Sequence, residues 1–251
     1  MGRFLGGIFS NDSVFGQIMT RVGILVGANL MFVLFAFPLV TTGPALTALF
    51  YVMLKVLRGE HELNPFKTFF RGFISNFKQA IICWLIYMAI MAVAYVDYRF
   101  LKTMDGPADI LKFAVAAVAI AVTVVMLFLP PVMAAFADTI PNLLRNAVFF
   151  AVKNPLRLIA VAAIVGIPGV ITFLHIRYQP LYAFIWFFFG FSAVAMACSA
   201  MLIRDFEKYL PAREEELSPD DQPPYGGDGI SGQGKVRSDR KTLEEMKKLD
   251  M

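Results

Sequence analysis

The chain has 251 residues, of which 58% are hydrophobic and 17% are charged, and its formal net charge is +4. This composition is too apolar for an ordinary soluble domain, in which charged residues make up about a quarter of the chain. The small net charge, confined to particular segments, also argues against a nucleic-acid-binding protein. A membrane surface is the better partner for the basic residues.

Long apolar stretches without any Lys, Arg, Asp or Glu dominate the chain. A charge near the bilayer centre costs about 2.5–3.5 kcal/mol on insertion scales, and a crossing helix needs about 20 apolar residues. The pattern therefore predicts an all-α integral membrane protein, a polytopic transmembrane helical bundle that contacts the lipid bilayer. The uncharged stretches are Val22–Leu54, Gln79–Val96, Phe113–Ala137, Leu158–Ile176 and Tyr178–Ile203.

The first uncharged stretch is too long for one crossing helix. Pro38 and Pro44 lie close together in it, with Thr41, Thr42 and Gly43 between them. Proline lacks the backbone donor and clashes with the preceding helical turn, so this segment predicts a turn. We expect one helix over Val22–Phe37 and a short second helix over Pro44–Leu57. The bundle then has six helices, or five crossings if the second helix is re-entrant.

The basic residues lie mainly in alternate connecting segments, which predicts the orientation of the helices. Six crossings with both termini cytoplasmic place 19 of the 23 Lys and Arg residues inside. Five crossings would move Arg3 and Arg21 to the outside, which fits less well. The expected location is the plasma membrane of the cell. The cytoplasmic segments in this arrangement are Met1–Arg21, Lys55–Lys78, Asp138–Arg157 and Arg204–Met251.

Composition divides the chain into two regions. Residues 1–210 form the expected transmembrane helical domain. From Pro211 onward the sequence becomes rich in Pro, Gly, Asp, Glu and Ser, with few large apolar residues. Such a segment cannot bury enough apolar surface to fold, so residues 211–251 are expected to be a disordered, polar, cytoplasmic tail.

Two short amphipathic helices are predicted on the cytoplasmic side. Pro141–Lys153 is the milder one, with Leu144, Ala147, Val148 and Ala151 expected on one face. In Pro65–Lys78, Asn64 can cap the helix, and five phenylalanines recur at helical spacing beside cations. This helix either rests on the bilayer and the bundle, or presents a docking surface. The candidate interaction surface is Phe66, Phe69, Phe70, Arg71, Phe73, Phe77 and Lys78.

Motifs that are typical of enzymes are not found in the sequence. It has no P-loop, no GxSxG, no HExxH and no metal-spaced His/Cys group. We expect no enzyme, no catalytic residue, no cofactor and no metal, and we place the aspartates in loops. Asn29 is the polar residue most costly to bury, and helix packing is its simplest role. Pro130-Pro131 and Gly166–Gly169 are expected to kink or break their helices.

One part of the sequence resembles a known family. The segment from Asn29 to Tyr51 contains Pro-Leu-Val-Thr-Thr-Gly-Pro-Ala-Leu, and the segment from Phe69 to Ala80 contains Asn-Phe-Lys-Gln-Ala. Together they resemble the YesL-like family of bacterial integral membrane proteins, domain of unknown function 624. The resemblance is strongest over Val14–Trp84. It implies an accessory role near carbohydrate ABC importers, and the family has no accepted catalytic residues.

Two functions from different classes follow. In the first, the protein is a non-enzymatic accessory subunit that binds an ABC importer permease through the bundle and the Phe-rich helix. In the second, it is a transporter or channel for a small neutral solute that uses the kinked helices as a path. Neutral sugars need several inward polar side chains, and the uncharged stretches contain few. The accessory role is therefore preferred, without nucleic acid as a partner.

Overall fold

A computed structural model describes residues 14–60, 63–102 and 108–209, which are helical and contain no strand. The predicted all-α class is confirmed, whereas the predicted tail lies outside the described residues. Short 3-10 turns at Leu39–Thr41 and Ile176–Tyr178 connect helices, and a π-helical turn at Trp186–Gly190 joins the last two. The α-helices are α1 Val14–Ala36, α2 Thr42–Leu57, α3 Pro65–Leu101, α4 Ala108–Ala135, α5 Ile140–Lys153, α6 Pro155–Leu174, α7 Gln179–Ile185 and α8 Phe191–Phe206.

Six helical segments in the described part are long and apolar enough to cross a membrane. They correspond to α1, to α2 with its preceding turn, to α3, α4 and α6, and to the run from Ile176 to Phe206. The large apolar side chains on the outside of α3, α4 and α6 are exposed. An apolar exterior of this kind suits hydrocarbon and not water, as expected for a multi-pass membrane protein.

Helix α2 is the centre of the bundle. It packs against α1, α3, α4 and α8. Within its candidate span 61% of the residues are buried, against at most 28% in the other spans. Small residues make this possible, because Ala45 and Ala48 are fully buried on α2 and let neighbouring backbones approach.

Glycines set the distance between α2 and α3. A Cβ added at Gly43 would lie 2.5 Å from Cβ of Trp84, and one added at Gly72 would lie 2.7 Å from Cδ1 of Tyr51. Neither distance is sterically allowed, so glycine is required at both contacts. The two helices therefore touch at two points along their length, one contributed by a glycine of each helix.

Helix α3 corrects one prediction. The amphipathic segment Pro65–Lys78 and the apolar span Gln79–Val96 were expected as separate helices, but they form one helix of 37 residues. No proline or glycine pair separates the two segments, so nothing stops the helix. The predicted start is confirmed, because the Asn64 side chain accepts hydrogen bonds from the backbone N–H groups of Phe66 and Lys67.

Two other predictions about helices are wrong in detail. Gly166–Gly169 does not break its helix, since α6 runs through Pro168 without interruption. Pro130 and Pro131 also lie inside α4, where the expected kink stays a prediction. In α5 the buried residues are Leu143, Ala147, Phe150 and Ala151. Leu144 and Val148, which were expected to share a face with Ala147 and Ala151, are exposed, so the buried face is rotated by about one residue.

The contact at Gly43 generates a stability prediction. Gly43→Ala should lower the thermal unfolding temperature in detergent, because the added methyl group pushes the Trp84 side chain and the backbone of Ala80 away from α2. The control is Gly23→Ala in α1, where no atom lies within 4 Å of the added Cβ. This control should be neutral or stabilising by about 0.5–1 kcal/mol through helix propensity. Equal unfolding temperatures for the two variants would contradict the close contact.

Candidate functional site

The structure divides the predicted interaction surface into a buried and an exposed half. Phe69 and Phe73 are buried, and both pack on Phe35 of α1, with ring centroids 5.8 Å and 4.8 Å apart respectively. Phe77 is half-buried beside Phe73. The remaining predicted members, Phe66, Phe70, Arg71 and Lys78, are exposed.

The exposed half continues onto a residue that the sequence prediction missed. Ile74 is 60% exposed and follows Phe66 and Phe70 at helical spacing, so the three side chains share one face. Lys67 and Arg71 lie exposed beside them. The i, i+4, i+8 spacing is present in the sequence, but the prediction considered only the five phenylalanines and their cations, so it left Ile74 out. We call Phe66, Phe70 and Ile74 the exposed α3 face.

Asn29 is the most fully used polar side chain in the described bundle. It is completely buried, and its Nδ2 donates to the backbone oxygens of Trp186 (2.9 Å) and Phe187 (2.7 Å). Its Oδ1 accepts from the backbone N–H of Ser192 at 2.9 Å. One side chain on α1 thus binds three backbone groups, two in the π-turn and one at the start of α8.

The π-helical turn explains why Asn29 is needed. A wider turn at Trp186–Gly190 interrupts the regular ladder of helical hydrogen bonds. Backbone groups released by this turn cannot find water inside an apolar bundle, so a side chain must replace the missing partner. The helix-packing role expected for Asn29 fits these contacts. Nothing in the sequence marks the π-turn itself.

A second set of polar contacts joins α6 to the same region. The indole Nε1 of Trp186 donates to Oγ1 of Thr172 at 2.9 Å, and this hydroxyl donates to the backbone oxygen of Pro168 at 2.7 Å. The Gln179 side chain donates to the backbone oxygen of Thr172 at 2.8 Å. Helices α1, α6 and α8 are therefore held together through Asn29, Thr172 and the π-turn.

An apolar cavity of about 370 Å³ lies among α2, α4, α6 and α8. Polar atoms contribute little to its wall, so the space suits a hydrocarbon chain better than a sugar. Trp84 and Trp186 both reach it. Its lining also includes Leu46, Phe50, Tyr87, Thr123, Met126, Leu127, Pro131, Val161, Val165, Phe191, Val194, Ala195, Cys198 and Leu202.

A charged pair that the sequence analysis missed joins the ends of α6 and α8. Asp205 is 4% exposed, forms an ion pair with Arg157 and accepts from the Asn154 side chain at 3.4 Å. Asp205 and Asp97 lie in helices, so the prediction that aspartates occupy only loops was wrong. The predicted topology places Arg157 and Asp205 at the same membrane face, and this placement could have been used to predict the pair. Partial burial with a matched cation suits a structural clamp.

A polar cavity of about 820 Å³ opens between the end of α2, the first half of α3 and the turn after α4. Lys55 pairs there with Glu60 at 2.8 Å, and the Gln79 side chain donates to the backbone oxygen of Asp138 at 2.9 Å. Arg58 also lines this space, and its Nη2 has no hydrogen-bond partner in the described residues. This cavity marks the polar end of the bundle.

Metal chemistry finds no support in the described part of the chain. Across residues 14–60, 63–102 and 108–209, no three His, Cys, Asp or Glu side chains cluster closely enough to hold a metal ion. Cys83 and Cys198 are buried free thiols on different helices. They contribute to packing, as free cysteines in apolar surroundings commonly do.

The fold and these contacts define a polytopic α-helical membrane protein. The family described as "Protein of unknown function, DUF624" matches residues 25–98. The chain is 26% identical over 192 residues to "Uncharacterized protein YesL" of Bacillus subtilis (strain 168), covering 75% of this chain and 87% of that relative. The chain is thus similar to the YesL-like proteins of the DUF624 family, as the sequence resemblance predicted. No solved structure gives a significant match.

Removal of the Asn29 contacts should weaken the bundle. Asn29→Leu keeps a side chain of similar size but leaves the buried backbone groups at Trp186, Phe187 and Ser192 without their donor or acceptor. An unsatisfied buried group costs about 1–3 kcal/mol. We expect a lower unfolding temperature in detergent for Asn29→Leu. Thr20→Val, whose exposed hydroxyl bonds only its own helix, should unfold near the parent temperature. A stable Asn29→Leu variant would contradict the clamp.

The turn before α5 generates a prediction about pH. The Asn142 side chain, and then the backbone N–H of Thr139, hold the pKa of Asp138 below its ordinary value of 3.8. Stability from this carboxylate is present above 3.8 and is lost as the pH falls through the lowered pKa. Asn142→Ala should therefore raise the pKa of Asp138 in a carboxyl ¹³C NMR titration. Asn146→Ala, one turn further along α5, should leave this pKa unchanged.

Proposed function

We propose that the protein is a non-enzymatic accessory subunit of the bacterial cell membrane that associates with a carbohydrate ABC importer. Both termini lie in the cytoplasm in this proposal. The observation that carries it is the exposed α3 face, where Phe66, Phe70 and Ile74 are each about half exposed or more. An apolar patch of this kind, beside exposed cations, is typical of an interaction site.

The exposed α3 face makes only peripheral contacts with α1, where Phe70 lies 6.3 Å from Phe35 between ring centroids and Phe66 lies near Gly27. Phe69 and Phe73 already anchor this part of the helix on Phe35, and Pro65 packs against α1 at Gly27. A helix that only rested on the bundle would need no further aromatic residues on its outer side. The outward residues therefore remain for a partner or for lipid.

The charge pattern and the resemblance favour one partner. Lys67 and Arg71 are exposed beside the apolar residues, so the complementary surface should be apolar with acidic groups at its rim. We assign this complementary partner surface to the cytoplasmic side of the importer's permease subunit. Contact with lipid alone is the competing outcome, and the experiment below distinguishes the two.

A transporter or channel for a small neutral solute is the alternative. The cavity among α2, α4, α6 and α8 favours it, because it lies within the helical bundle. Its wall is almost entirely apolar, however, and a sugar requires several convergent polar groups. The accessory role therefore has the better support. Uptake of a labelled sugar by vesicles that contain only this protein would reverse this preference.

The proposal is tested in native membranes with the double variant Phe66→Glu/Phe70→Glu. Both side chains are about half exposed, so the variant should reach the membrane at the parent level. We expect several-fold less permease to be crosslinked to the protein and identified by mass spectrometry. Phe69 and Phe73 are unsuitable positions, because both are buried and their substitution by Glu would disrupt the fold.

The matched control for this experiment is Val148→Glu/Val152→Glu on α5. Val148 is 44% exposed and Val152 is 73% exposed, so the control introduces the same two charges at outward apolar positions one helical turn apart. Crosslinking of the permease should be retained in this control. If the double variant and the control capture equal amounts of permease, the exposed α3 face is not the docking site. Capture of no permease by the parent protein would reject the association itself.

A further inference from the structure

The turn between α1 and α2 has an apolar exterior. We call residues Phe37–Thr41 the hairpin tip. Phe37 is 86% exposed and Leu39 is 72% exposed, and Val40 is exposed beside them. No charged residue occurs between Val22 and Leu54, on either side of this tip. A turn that projects into water normally carries polar residues, so the composition is that of a lipid-facing segment.

Several backbone groups at the hairpin tip are satisfied by protein partners without water. The hydroxyl of Thr41 donates to the backbone oxygen of Phe35 at 2.5 Å, and that of Thr42 donates to the backbone oxygen of Ala36 at 3.3 Å. The N–H of Thr41 donates to the backbone oxygen of Pro38 at 3.0 Å. In water such carbonyls need no dedicated donor, whereas in hydrocarbon each unsatisfied group costs several kcal/mol.

One further donor comes from a different helix. The indole Nε1 of Trp84 donates to the backbone oxygen of Leu39 at 2.9 Å. Pro38 and Pro44 have no N–H, which reduces the number of donors that the turn must satisfy. Three carbonyls at the turn, those of Phe35, Ala36 and Leu39, are thus served by side-chain donors, which lowers the cost of placing the turn at membrane depth.

The contact with Trp84 also gives the depth of the tip. Helix α3 continues beyond Trp84 to Asp97, its next charged residue, over about 13 residues or roughly 20 Å. In the other direction Lys78 lies about 6 residues away, or roughly 9 Å. The tip therefore contacts α3 within the uncharged stretch between Lys78 and Asp97, and well short of Asp97.

The two arms of the hairpin are short for full crossings. The uncharged arms are Val22–Phe37 and Thr42–Leu54. At 1.5 Å per residue they span about 24 Å and about 20 Å, whereas the hydrocarbon core of a bilayer is about 30 Å thick. Arg21 and Lys55, at the open ends of the arms, can therefore remain at one membrane surface while the tip turns back inside.

We propose that α1 and α2 form a re-entrant hairpin whose tip ends inside the bilayer and contacts lipid acyl chains. Complete crossings are then made by α3, α4, α6 and the run from α7 to α8. This arrangement keeps Arg21 and Lys55 on the same side, as six full crossings would. It differs from six crossings in one measurable respect, which is that the tip never reaches water.

Spin labels at the tip test the proposal in liposomes that are permeable to a water-soluble nickel complex. The labelled variants are Val40→Cys and, at a second tip position, Phe37→Cys, in a background where Cys83 and Cys198 are replaced by Ala. Labels at Ile86→Cys, near the depth of Trp84 on α3, and at Lys102→Cys, beyond the apolar span, give the lipid and water references. Accessibility to oxygen and to nickel is then measured for each label.

We expect both tip labels to match the Ile86 label, with high oxygen accessibility and several-fold lower nickel accessibility than the Lys102 label. Because nickel reaches both surfaces, a tip that crosses the membrane completely would be nickel-accessible, which overturns the proposal. A tip label protected from both reagents would show protein around the tip and would overturn the contact with acyl chains. Elution of each variant at the parent position confirms that the fold is retained.

Discussion

The structure depends on one constraint, which is that polar backbone groups within a bilayer must find their partners inside the protein. Regular helices meet this constraint by themselves, so only the irregular segments require help. Two irregular segments of the described residues each receive a dedicated side-chain partner. Asn29 serves the π-turn, and Trp84 serves the turn between α1 and α2. The few polar residues of the apolar spans are therefore explained mainly by backbone geometry.

The same constraint explains the position of α2. It is short, it follows an irregular turn, and it is the most buried of the candidate spans. Its neighbours supply what lipid cannot, namely close packing at Gly43 and Gly72 and a donor for the preceding turn. The longer helix α3 needs less support, because no proline interrupts its interior and its outer side can face lipid. The bundle is thus built around its shortest candidate span, which depends most on contacts with the neighbouring helices.

The sequence predicted the elements better than their contacts. Charge-free stretches located the spans, and Asn64 with Pro65 located the start of α3, because these signals are local. The prediction separated Pro65–Lys78 from Gln79–Val96, because a change of composition suggested a boundary that the backbone does not need. It also placed five phenylalanines on one docking surface. Two of them are buried against Phe35, a contact that depends on how α1 packs and that helical spacing alone cannot reveal.

The continuity of α3 has a mechanical consequence. Its 37 residues extend over about 55 Å, which exceeds the thickness of the hydrocarbon core. The contacts of Gly43 with Trp84 and of Gly72 with Tyr51 hold this rod to α2 at two points, so it cannot pivot about either one. A displacement of the end near Phe66 would therefore shift α2 together with α3 and not tilt α3 alone.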